Sequence, residues 1–341
     1  MKMKRLGRTG LMVTENSFGA LPLQRRSVDD AVAILRRAYD HGINFYDTAR
    51  AYSDSEFKIG KALGSVRKNI VIATKTAATT KQAVTQQLEA SLKELNTDYI
   101  DLYQLHNPSR LPDPEDPQSS YAALKEARQK GLIRFFGITN HRLESARQAL
   151  NSGLYDTLQF PLSYLSNPTE LKIASIAKEK DVGFIAMKAL SGGLLTNARA
   201  CFAFFSQYDN IVPIWGIQDA RELDEFMAAA NENVRMTPEY EALIGRDRKA
   251  LSGEFCRGCG YCEPCPAGIK ISWCARMDKL LTRAVWQNFI TDEWRAEMDK
   301  IDGCTLCGSC KLRCPYGLDC PGLVAKQLAN YNEFYKTHIK K

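Results

Sequence analysis

The chain has 341 residues and a formal net charge of +7, with 25% charged and 45% hydrophobic residues. Lys and Arg are spread among Asp and Glu without a basic block or interleaved aromatics, which excludes a nucleic-acid platform. No apolar stretch follows the basic start MKMKR and no uninterrupted apolar span approaches membrane length, so neither a leader nor a membrane segment is expected and the protein is predicted to be cytoplasmic.

In chain order the apolar runs are ENSFGAL, NFYDTA, IVIATKT, YIDLYQLH, FFGITN, TLQFPLS, GFIAMK and IVPIWG. They recur roughly every 30 residues, the spacing of a strand and its return helix, and between them DDAVAILRRAYDHG and KQAVTQQLEASLKELN carry helical periodicity. Continuous apolar strands suit a parallel sheet buried on both faces. Eight of them predict an α/β fold, a (β/α)8 TIM barrel, whose strand C-terminal ends form the floor of the active site. Asp47, Lys75 and His106 fall at or near three such ends, so they are expected to converge. Tyr52, five residues after Asp47, is placed above the same rim. A lysine ammonium beside a tyrosine hydroxyl favours the phenolate and makes the tyrosine a usable acid at neutral pH. Asp47 can hold Lys75, and His106 can donate to a substrate oxygen. Such a group can protonate the alkoxide formed when hydride adds to a carbonyl.

At these residues the sequence resembles the aldo/keto reductase superfamily, through LGRTGLMVTENSFG, GINFYDTARAYSDSE, ATK, YIDLYQLHNP, FGITNH, LQFPLSY and WGIQDARELDE. The resemblance implies a catalytic tetrad of Asp47, Tyr52, Lys75 and His106. It also implies an NAD or NADP cofactor lying across the barrel mouth, with contacts from Thr139, Asn140, Gln159, Met187, Lys188, Gly216, Gln218 and Glu222. Met187 stands where many members stack an aromatic ring on the nicotinamide, and a thioether can cover a ring face. Gly216 and Glu222 stand where a lysine or arginine usually grips the adenosine 2′-phosphate; a carboxylate suits a ribose hydroxyl, and Arg221 is adjacent. NAD and NADP both stay open.

The composition changes near RMTPEYEALIGRDRKALSGEF, which divides the chain into a barrel, 1–245, and a C-terminal domain, 246–341. Ten of the eleven cysteines lie between Cys256 and Cys320. Cys256, Cys259, Cys262 and Cys265 form C-x2-C-x2-C-x2-C before Pro266; Cys304, Cys307, Cys310 and Cys314 form C-x2-C-x2-C-x3-C before Pro315. The second is the bacterial ferredoxin run for a 4Fe-4S cluster and the first is one residue short of it. In two-cluster ferredoxins the fourth cysteine crosses over, which would join Cys314 to the first three and Cys265 to Cys304, Cys307 and Cys310. Zinc is the competing metal for paired C-x2-C units. Cys320, also followed by proline, is an alternative to Cys314, while Cys201 and Cys274 read as buried small hydrophobes. ISWCARMDKLLTRAVWQNF and DEWRAEMDKI look helical, so the tail resembles a mainly α-helical two-cluster ferredoxin module.

The combined expectation is an NAD(P)H-dependent reductase of a small-molecule carbonyl, or the reverse alcohol oxidation, carrying two 4Fe-4S clusters. The alternatives are an electron-transfer enzyme with a ferredoxin or flavoprotein partner, and a cluster-based redox sensor on a barrel scaffold.

Overall fold

Each of the eight apolar runs forms a strand in the computed structural model, which describes residues 1–251, 255–283 and 286–339. An antiparallel hairpin, β1 (Met3–Arg5) and β2 (Met12–Thr14), precedes them. The barrel strands are β3 (Ser17–Gly19), β4 (Phe45–Asp47), β5 (Val71–Thr76), β6 (Ile100–His106), β7 (Ile133–Thr139), β8 (Thr157–Pro161), β9 (Gly183–Met187) and β10 (Ile211–Gly216). They close in chain order, with β10 returning to β3, and every pairing is parallel. A helix follows each strand: α1 (Val28–Asp40), α2 (Ser55–Leu63), α3 (Lys81–Glu94), α4 (Ser120–Gln129), α5 (Leu143–Ser152), α6 (Pro168–Glu179), α7 (Ala198–Phe205) and α8 (Ala220–Asn231). Five of these helices start at short polar side chains that accept from backbone N–H groups, Ser27 for α1, Thr80 for α3, Ser119 for α4, Asn167 for α6 and Asp219 for α8.

Every residue of β5, β8 and β9 is buried. The interior packs Phe45, Val71, Ala73, Leu102, Ile185 and Val212 against Leu6, Leu11 and Val13 from the hairpin region. The hairpin seals the N-terminal ends of the strands, where Arg8 N donates to Asp181 O just ahead of β9. The opposite end is left for the polar strand termini. Gly137 in β7 has a packing reason: a Cβ there would lie 2.0 Å from Thr157 Oγ1 on β8.

The chain divides into two compact units, Met1–Ala189 with Ala198–Leu243, and Leu190–Asn197 with Ile244–Lys341. The division falls within α9 (Pro238–Ala250). The short segment after β9, counted with the barrel on sequence, therefore groups with the C-terminal residues. Within that second unit Arg276 Nη1 donates to Gly192 O at 2.6 Å. Ser252, Gly253 and Glu254, in the stretch read as the domain boundary, lie outside the described residues.

The second unit is helical. The long predicted helix from Ile271 is broken into α10 (Ile271–Cys274), α11 (Met277–Arg283) and a 3-10 turn, Trp286–Phe289. Cys274, Ala275, Arg276 and Met277 are all buried, and four consecutive inward residues cannot share one face of a continuous helix. Ala284 and Val285, in the same predicted stretch, lie outside the described residues. Then come α12 (Asp292–Asp299), α13 (Ser309–Arg313) and α14 (Cys320–Ile339). Ile269, Ile271, Met277, Leu280, Met298, Ile301, Val324, Leu328 and Tyr331 form the core, with Trp273, Trp286 and Trp294 packed against it. No described helix is long and apolar enough to cross a membrane.

Candidate active site

Parallel closure brings the ends of β4, β5 and β6 to one rim. Lys75 Nζ donates to Asp47 Oδ1 at 2.6 Å, to Asp47 Oδ2, and to the Thr48 carbonyl at 2.5 Å. Both partners of this ion pair are about 1% exposed. Burial pushes the Asp47 carboxyl up and the Lys75 ammonium down, each opposed by the charge of the other. Removing one partner would leave the other charge buried and uncompensated. Tyr52, on the connection between β4 and α2, lies with its ring centroid 5.3 Å from Lys75 Nζ. Its ring meets the His106 ring edge-on, with centroids 5.7 Å apart. The four sequence-derived residues are therefore brought together.

His106 is held neutral. Burial, aided by the Lys75 charge, pushes its imidazole down from the usual 6.5 to about 3. Between those values the unfolded chain binds a proton that the folded chain does not, so stability is expected to fall as pH drops from 6.5 towards 3. Urea titrations across that range should show a shallower fall for His106→Gln; an unchanged slope would mean that His106 is not the group responsible.

Gln104 was not singled out by the sequence reading. Its Nε2 donates to Gln159 Oε1 at 2.9 Å, and Gln159 Nε2 donates to Asp47 Oδ1 at 3.0 Å. A buried relay thus runs Gln104, Gln159, Asp47, Lys75. The signal was available: Gln104 stands two residues before His106 on β6 and shares its face.

The residues implied as cofactor contacts are distributed along the same rim. Asn140 Nδ2 donates to Pro108 O at 3.0 Å and Asn140 Oδ1 accepts from Arg142 N at 2.8 Å. Thr139 Oγ1 accepts from Asn107 N. Asn140 and Gln159 each retain a second amide N–H, a donor suited to a carboxamide oxygen. Met187 is buried against the barrel interior, and Lys188 takes a left-handed φ of 55° as the chain leaves β9. Glu222 is engaged locally: its carboxylate accepts from Gln218 N at 2.8 Å and Gln218 Nε2 at 3.4 Å, while its own N–H donates to the cap residue Asp219. Gly216 is exposed at the end of β10.

In the second unit the cysteines surround two cavities. Cys265, Cys304, Cys307 and Cys310 line one, and Cys256, Cys259, Cys262 and Cys314 line the other; Cys320 lines both. Two sets of four thiols around separate cavities fit two cubane clusters. Burial pushes the Cys256, Cys262 and Cys310 thiols up, a cost that metal–thiolate bonds must repay on loading. Cys307 is exposed and is held down by the Ser309 hydroxyl. Cys274 and Cys201 are fully buried and line neither cavity.

Comparison with known proteins agrees with both halves. The aldo/keto reductase family model matches residues 16–201, and a 4Fe-4S dicluster domain matches residues 255–319. L-galactose dehydrogenase of Arabidopsis thaliana is 32% identical over 215 residues, covering 58% of this chain and 67% of its own. The aldo-keto reductase YhdN of Bacillus subtilis is 33% identical over 181 residues, covering 49% of this chain and 54% of its own. Among solved structures, an aldo-keto reductase from Bacillus halodurans in its apo form aligns with a TM-score of 0.62 and 25% identity, over 74% of this chain and 98% of that one. One from Klebsiella pneumoniae, solved in complex with NADPH, aligns with a TM-score of 0.61 and 24% identity, over 72% of this chain and 94% of that one, and shows the shared fold. Since the family model spans more than half of its residues, the chain belongs to the aldo/keto reductase family, and it carries a C-terminal 4Fe-4S dicluster domain.

Proposed function

We propose that the barrel is an NAD(P)H-dependent reductase of a small aldehyde or ketone, or catalyses the reverse oxidation of the alcohol. The observation that carries this reading is the Lys75 ammonium, fixed by Asp47 and Thr48, standing 5.3 Å from the Tyr52 ring with His106 edge-on to that ring. When bound, the nicotinamide would supply a hydride for the carbonyl carbon. Tyr52 gives its hydroxyl proton to the carbonyl oxygen and is reprotonated from solvent. Lys75 makes the phenolate accessible, Asp47 holds Lys75, and neutral His106 donates a hydrogen bond that orients the substrate oxygen. In this reading Thr139, Asn140 and Gln159 hold the carboxamide and Met187 covers the ring. Lys188, Gly216, Gln218 and Glu222 lie along the rest of the dinucleotide, which is NAD or NADP. The name of the Arabidopsis relative makes aldoses and their lactols a natural first group of test substrates.

The dicluster domain favours a second reading, in which the clusters exchange single electrons with a ferredoxin or flavoprotein. Here Cys256, Cys259, Cys262 and Cys314 hold one 4Fe-4S cluster and Cys304, Cys307, Cys310 and Cys265 the other. One experiment separates the two: anaerobic mixing with NADH, then NADPH, followed at about 340 nm for nicotinamide and about 400 nm for the clusters, before and after a carbonyl is added. Loss of the nicotinamide signal only with carbonyl, with an unchanged cluster band, is the outcome expected of the reductase. Bleaching of the cluster band by reduced cofactor alone would favour the electron-transfer reading.

A further inference from the structure

Glu56 is a carboxylate at 1% exposure in the first turn of α2, and the proton transfer described above does not use it. Its Oε1 accepts from Thr74 Oγ1 at 2.6 Å, and its Oε2 accepts from Arg50 Nη1 at 2.5 Å. Thr74 immediately precedes Lys75 on β5, and Arg50 N donates to Lys75 O at 3.0 Å. The two ends of the connection that carries Tyr52 are thereby tied to adjacent residues of β5, Arg50 to Lys75 and Glu56 to Thr74, and to each other. A second link runs alongside the first: Thr48 Oγ1 donates to Ser55 Oγ at 2.9 Å, and Ser55 N donates to Tyr52 O at 2.9 Å. Within this connection Ser53 takes a left-handed φ of 45°, a backbone cost that the surrounding bonds must hold in place.

A neutral hydrogen-bonding side chain could close this loop, so the charge needs its own reason. Two cations, Arg50 and Lys75, are matched here by two carboxylates, Asp47 and Glu56, and only Arg50 reaches solvent to any extent. The charge of Glu56 also favours the ammonium form of Lys75. The other charged or titratable groups nearby are His106 beyond Lys75, the Tyr103 hydroxyl on β6, and Lys58 on the same helix, which is paired with Asp54.

We propose that Glu56 is a positioning residue of the reaction: it clamps the Tyr52 connection onto β5 and completes a four-charge array with Asp47, Lys75 and Arg50. This assignment rests on the reading of Tyr52 as proton donor. Without the carboxylate the array carries a net positive charge, which favours the Tyr52 phenolate and moves its ionisation to lower pH.

The test is the pH midpoint of Tyr52 ionisation, read as tyrosinate absorbance of the holoprotein minus that of the same protein with Tyr52→Phe. Glu56→Gln should lower the midpoint by about one pH unit, while Glu56→Asp, which keeps the charge, should leave it near wild type. If Glu56→Gln does not fold, Arg50→Met on the partly exposed arm serves instead and should raise the midpoint. In turnover, the alkaline limb of kcat/KM for carbonyl reduction should move with the midpoint, and kcat should fall about 10-fold with the dinucleotide KM within about twofold. A merely structural Glu56 would change melting temperature and kcat but leave the midpoint in place, and that result overturns the proposal. Absence of carbonyl turnover in the wild type would sink the reductase reading separately, because the titration needs no turnover.

Discussion

Tyr52→Phe should reduce carbonyl turnover by about 10²- to 10⁴-fold, the usual worth of a positioned proton donor, with nearly all of the loss in kcat. The substitution removes one oxygen. It leaves the ring that meets His106 and Lys75, and the Lys75 ion pair keeps its three oxygen partners. Dinucleotide binding, followed by quenching of protein fluorescence, and iron content should therefore match wild type. The comparison is sharp because the barrel and the cluster domain are read out separately. Retained turnover with bound cofactor would remove Tyr52 from the reaction and with it the reductase reading.

Cys262→Ser should lower iron from about eight to about four atoms per chain and remove one of two cluster signals in electron paramagnetic resonance. Cys262 lines a cavity with Cys256, Cys259 and Cys314 and is buried in the core of the C-terminal unit. Serine there is a poor iron ligand. Its buried hydroxyl adds an unsatisfied polar group costing about 1–3 kcal/mol, so the unit should also melt earlier. The cavity lining makes a finer prediction: Cys265→Ser should deplete the same cluster as Cys304→Ser, although Cys265 belongs to the first run in sequence. Cys274→Ser and Cys201→Ser should leave iron unchanged. Zinc in place of iron in protein purified without oxygen, or Cys265→Ser and Cys256→Ser depleting the same cluster, would overturn this assignment.

Much of the barrel was legible in the chain because parallel strands buried on both faces must be apolar throughout, and IVIATKT or GFIAMK therefore stand out from their amphipathic flanks. ENSFGAL, the weakest run, becomes the short β3, which buries its three residues between β10 and β4. Asp47, Lys75 and His106 were legible as rim residues for a related reason: a polar residue closing an apolar run marks the C-terminal rim. Gln104 was not, since it stands within its run and its purpose appears only when Gln159, 55 positions away, is beside it. Glu222 was placed at the cofactor through the family resemblance, and the structure adds that its carboxylate is held at the start of α8 by Gln218. A capping interaction of this kind depends on local backbone geometry that composition does not carry.

By itself the sequence determined the strand and helix rhythm, the polar residues at the strand ends and the two cysteine runs, because each is a matter of residue type at fixed local spacing. The tertiary structure alone decided which distant groups share an environment. It placed Arg50 and Glu56 on either side of Tyr52 and against β5, brought Gln104 beside Gln159, set Cys320 against both cysteine-lined cavities, and drew Leu190–Asn197 out of the barrel's count into the C-terminal unit. The physical reason is that buried charges and thiols must find partners wherever closure of the chain brings them together, and that closure is set by the packing of the whole core rather than by any one segment.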